Sequence, residues 1–127
     1  MNLNHGHKTF LLTFTLGLLL WVLSPVIFNN REPWDASPPV YLITLLLAGF
    51  LSTFFWGRQI IPSYFGIWIG QFLGLTIVTF LQPSTSEARA WWGIIPAVTT
   101  GMGSVLIFGG IVLGLFVKFI MHRITKQ

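Results

Sequence analysis

Four long apolar runs alternate with short polar stretches along the chain, over about residues 10–28, 40–57, 62–81 and 92–121. Each is close to or above the ~20 residues that an α-helix needs to cross the hydrocarbon of a bilayer. The pattern predicts an all-α polytopic membrane protein: one domain over 1–127, with four transmembrane helices in an antiparallel bundle joined by short loops. Prolines punctuate it as such helices require. Pro25 falls near the end of the first run, while Pro38, Pro39 and Pro62 open the second and third. In a first turn the missing proline donor costs little. The fourth run is the longest, so it is expected to tilt or to rest its first turn in the interface with Trp91 and Trp92. Behind Lys8 the first run resembles a signal peptide, but it is longer than one and no Ala-x-Ala follows, so it reads as a retained helix.

The polar stretches set direction. With four spans, Lys8, Arg58, Lys118, Arg123 and Lys126 fall on one side, and Arg31 and Arg89 on the other. A five-to-two bias predicts both termini in the cytoplasm, with the bacterial inner membrane as the expected location. The three acids, Glu32, Asp35 and Glu87, then lie outside. The connection "NNREPWDASPPV" holds Glu32, Trp34 and Asp35, and "EARAWW" holds Arg89. Exposed ion pairs here are worth only ~0–1 kcal/mol. These two connections read as an outer docking surface rather than a catalytic one, because two wet carboxylates have nothing to separate their pKa values.

Small residues recur on helical faces. In the third run Gly66, Gly70 and Gly74 are spaced by four, and Ser63 joins them, leaving Phe65, Trp68 and Phe72 as an opposite aromatic ridge toward lipid or another subunit. In the fourth run Gly93, Ala97, Gly101 and Ser104 share one face, while Gly103, Gly110 and Gly114 share a second, about 120° away. Membrane helices associate through close van der Waals contact, which such residues permit. One of these faces is expected on a neighbouring span, another on a second copy or a different protein. Room for a flat lipid, quinone or pigment is the competing use.

Composition excludes much. The chain is 54% hydrophobic and 8% charged, against ~25% charged in soluble domains. Its cations are too few and too scattered for nucleic acid. Cysteine is absent, which removes disulfides, thiolate nucleophiles and cysteine metal sites. His5 and His7 sit on what reads as a disordered tail and make a weak pair, so no metal is expected. No ionisable residue lies mid-span, which argues against proton-coupled transport and intramembrane aspartyl proteolysis. In particular, the membrane carboxylate of small multidrug transporters has no counterpart. The phrase "VTTGMGSVLIFGG" is similar to the glycine-rich helix of fluoride channels over a few residues, but span two lacks the asparagine-bearing track of that family. Gln71 is the one strongly polar side chain near a midplane, and its amide needs a partner on a neighbouring helix.

These readings point to a non-enzymatic accessory or assembly subunit of a larger membrane complex, whose partners are the lipid bilayer and other membrane subunits or itself. The alternative is a homo-oligomeric channel or uniporter, using Gln71, Thr76, Thr79, Thr99, Thr100 and Ser104 as a neutral track.

Overall fold

In a lipid-embedded bundle large apolar side chains are at home outside, and the interior goes to small and polar ones. A computed structural model, which describes residues 4–27, 38–81 and 94–126 apart from the side chain of Ile95, is built this way. The described residues are helical: α1 (His5–Val22), α2 (Ser24–Ile27), α3 (Pro38–Trp56), α4 (Ile60–Leu81), α5 (Ile94–Ser104) and α6 (Ile107–Ile124). Three stretches are long and apolar enough to cross a membrane, Pro38–Trp56, Ile60–Leu81 and Pro96–Ile124, which makes this an integral membrane protein. α1 packs among them but is not one of the three. Its 18 residues open with His5, His7 and Lys8.

Local chemistry sets the boundaries. Asn4 caps α1 by accepting the His7 backbone N–H at 2.9 Å, which fills one of the donors a helix start leaves free. The tail expected to be disordered is therefore helical from His5 onward. At the other end Pro25 has no N–H to give. α1 stops at Val22, and a further turn forms in which the Val26 and Ile27 N–H groups both bond the Leu23 carbonyl. α3 and α4 meet through a short turn in which Gly57 has φ 81°, a left-handed conformation that glycine adopts without strain.

The fourth run is not one uniform helix. Between α5 and α6 the N–H groups of Val105, Leu106, Phe108 and Gly109 bond carbonyls three residues back. The helix tightens there into 3₁₀ geometry. Gly101 and Gly103 lower local helix propensity, and the Ser104 hydroxyl takes the Thr100 carbonyl at 2.7 Å.

The packing order corrects one expectation. The tightest pairs are not chain neighbours but α1 with α4 and α3 with α6. Both pairs are parallel: Gly66, Gly70 and Gly74 meet Phe10, Phe14 and Leu18 in that order, and Gly110 and Gly114 meet Leu46 and Phe50. The hairpin of α3 and α4 is antiparallel, with Ser52 against Ser63 and Tyr41 against Gln71. Glycine decides this, because two backbones approach most closely where neither carries a Cβ. Outside, Val26, Ile61, Val98, Met102, Val112 and Phe116 are each more than half exposed. Inside, among the described residues, lie Trp21, Leu45, Ala48 and Ile67 together with nine buried polar residues.

Candidate functional site

The glycine faces lie against helices of the same chain. Gly66, Gly70 and Gly74 pack on the α1 backbone. A Cβ at Gly70 would strike the Phe14 carbonyl, and one at Gly110 the Leu46 carbonyl. Gly103 and Gly114 also meet α3, at the Tyr41 hydroxyl and at Thr53. Gly101 lies under the Trp68 indole of α4, and the Ala97 carbonyl accepts the Trp68 Nε1–H at 3.0 Å. The face expected on a second copy is thus occupied within one chain. Gly93 lies outside the described residues, as do Glu32, Trp34, Asp35 and Arg89.

At the centre sits Gln71, fully buried. Its Oε1 accepts the Tyr41 hydroxyl at 3.0 Å and, at a longer 3.4 Å, the Trp21 Nε1–H. Its Nε2 donates to the Ser104 Oγ at 3.1 Å, and that hydroxyl passes its own proton to the Thr100 carbonyl. One amide therefore ties α1, α3 and α5 to α4. The Ser104 hydroxyl is the kind of partner the sequence called for. Trp21 and Tyr41, which lie in other helices, were not anticipated.

α4 reaches α5 at two further points. Trp68, expected on a lipid-facing ridge, instead turns to the Ala97 carbonyl, because an indole N–H in hydrocarbon needs an acceptor. Phe65 is 44% exposed, as that ridge requires. Tyr64 donates to the Gly101 carbonyl at 3.1 Å. A continuous α-helix would commit that carbonyl to the Val105 N–H, which here bonds Met102. Trp68, Ile69, Phe72 and Ala97 also line an apolar groove of about 180 Å³ on the outer surface.

The interior of the described bundle holds amide, hydroxyl, phenol and indole groups but no carboxylate, ammonium, guanidinium or imidazole. Such a set hydrogen-bonds well and offers no general acid–base pair tuned near neutrality. His5 and His7, two residues apart on a helix, diverge by about 200°. They do not face one ion, and His7 instead approaches the Asn4 side chain at 2.7 Å.

No family model, curated protein or solved structure matches this chain. The geometry alone carries the functional reading.

Two residues that shape the site were not singled out from the sequence, Gly17 and Gly49. Gly17 lies against Ile67 and Gln71, and Gly49 against Ile107 and Ile111. Each supplies the reciprocal gap on the partner helix. The signal was present: Thr9, Thr13 and Gly17 are spaced by four, and so are Gly49 and Thr53.

Proposed function

We propose that this chain is a non-enzymatic accessory or assembly subunit of a larger membrane complex. It would sit in a bacterial inner membrane with both termini in the cytoplasm. One observation carries the reading. Gln71, the strongest polar group in the core, is committed to Trp21, Tyr41 and Ser104 of its own chain. A substrate or an ion would find that amide already engaged. Asn4, Arg58 and the Lys118 end of α6 lie at one end of the bundle, as follows from the parallel pairing of α1 with α4 and α3 with α6. The positive-inside bias then supports a cytoplasmic placement of that end.

Because the small-residue faces are engaged internally, a partner subunit would meet the large apolar exterior. The groove beside Trp68 and Phe72 is one such place, and an acyl chain, a quinone tail or a pigment would use the same surface. The outer connections with Glu32, Trp34, Asp35 and Arg89 would receive any soluble partner. Extraction from the native membrane in several mild detergents, with native gels and mass spectrometry, tests this. Co-migration with other membrane proteins is expected, and a lone monomer in every detergent would reject it.

The channel alternative draws support from one feature: Gln71 and Ser104 do converge, although the Thr100 hydroxyl donates to the Pro96 carbonyl of its own helix. Thr76 does not join them, since its hydroxyl bonds the Phe72 carbonyl of its own helix. Flux through reconstituted liposomes distinguishes the two readings.

A further inference from the structure

The helices do not end at one level. α3 has 19 residues, about 28 Å of helix, close to the ~30 Å of a bilayer's hydrocarbon. Its last turn holds Phe55 and Trp56, and Gly57 and Arg58 follow. Aromatic residues succeeded by a cation mark a membrane interface. α6 runs parallel to α3, with Gly110 against Leu46 and Phe50 and Gly114 against Phe50 and Thr53. One more turn at this register brings Lys118 level with Trp56. α6 then continues to Ile124, about 9 Å further.

No other helix among the described residues accompanies it. α1 and α4 both start beside the Gly57 turn, where Gly6 lies against Gln59 and Pro62. Every residue from Phe119 to Lys126 is exposed. The headgroup layer is about 5–8 Å deep on each side of the hydrocarbon, so this projection crosses the depth of the lipid phosphates.

The projecting turns are two-faced. Lys118, His122 and Lys126 are spaced by four and form one row. Phe116, Ile120 and Ile124, also spaced by four, form a second row about 160° away. Phe119 falls on the basic side, and there the Arg123 guanidinium lies over its ring at 4.8 Å. No Asp or Glu stands among the described residues, so these cations have no carboxylate side chain to pair with in the described bundle.

We propose that the projecting end of α6 binds anionic phospholipids. Lys118, His122, Arg123 and Lys126 take the headgroup phosphates, while Phe116, Ile120 and Ile124 lie against the upper acyl chains. A lipid of net negative charge offers both chemistries at the depth where the helix presents them. A second copy does not fit this face, because a two-fold contact would set like charges together. The inference is independent of whether the chain serves as an assembly subunit.

Spin-labelled lipids test it on the full chain, in vesicles of equal parts phosphatidylcholine and phosphatidylglycerol. Electron spin resonance should show phosphatidylglycerol held at the protein surface several-fold over phosphatidylcholine. One cation beside an anionic leaflet is worth about a fivefold preference. Lys118→Gln, Arg123→Gln and Lys126→Gln together should therefore bring the two lipids near parity. Equal retention by the unaltered chain, or selectivity undiminished by the triple change, would overturn the proposal. The absence of cysteine allows a second readout from a nitroxide on Ile124→Cys. In the mixed vesicles it should be shielded from a water-soluble relaxation agent, and in phosphatidylcholine alone it should be less so. Equal exposure in both, or spin–spin broadening from a second copy, would also overturn it.

Discussion

The Tyr64 hydroxyl bonds the Gly101 carbonyl where the last span tightens and releases that carbonyl from its own helix. A side chain of α4 thus completes a backbone defect in the neighbouring span, and the defect persists because its loose end is satisfied. Tyr64→Phe should keep the ring contact with Phe108 and lose only this bond. A loss of about 0.6–1.7 kcal/mol is expected for one interhelical hydrogen bond in a membrane. Reversible unfolding in mixed micelles would measure it, and no change would mean the released carbonyl finds another donor.

Four alanine substitutions separate the roles of the glycines. Gly70→Ala and Gly110→Ala place a methyl against a partner's backbone carbonyl, which cannot swing aside. Each should cost about 1–3 kcal/mol through forced separation of a helix pair. Gly109→Ala meets only the tip of Leu46, so it should be neutral or slightly stabilising through helix propensity. Gly57→Ala meets no atom but holds φ 81°, so a cost of about 1–2 kcal/mol should come from the backbone alone. Unfolding curves of the four variants would show this ordering.

Gln71→Leu removes a side chain that three others bond. The Tyr41 hydroxyl, the Trp21 indole and the Ser104 hydroxyl would each lose one hydrogen bond inside the core, while Ser104 keeps its bond to the Thr100 carbonyl. A loss of about 1–3 kcal/mol is expected. Combining it with Ser104→Ala should be less than additive, because the two residues share one bond. Additivity would show that the amide and the hydroxyl act separately.

Asn4→Ala tests the start of α1. Loss of the bond to the His7 N–H should cost about 1 kcal/mol. It should also raise hydrogen exchange in the first turn of α1 without affecting α4.

The spans were legible because apolar length is read along the chain. Pro38 starts α3 as its position implied, and Pro25 ends α1 a few residues before the apolar run does. The pairing was less legible. Gly66, Gly70 and Gly74 announce that a backbone will come close, but not whose, since any helix with a matching gap satisfies them. Reading Thr13 and Gly17 as that gap would have found α1. The turn of Trp68 toward α5 was hidden for a different reason. An aromatic ring on the face opposite a glycine groove looks lipid-facing until its N–H is counted as a donor that lipid cannot satisfy. The tightening at 105–106 is completed by the cross-helix bond from Tyr64 to the Gly101 carbonyl, which no one-dimensional pattern displays.

The parallel pairing of α1 with α4 and of α3 with α6 has a consequence for biosynthesis. Neither tight pair can close as a hairpin while the chain emerges. When the segment containing α3 enters the bilayer, the glycine-matched partner of α1 has not yet been made. α3 in turn waits for the last span to be synthesised. The order in which helices enter the membrane is therefore not the order in which they lock together, and the earliest segment must lodge beside a helix it fits less well until α4 arrives.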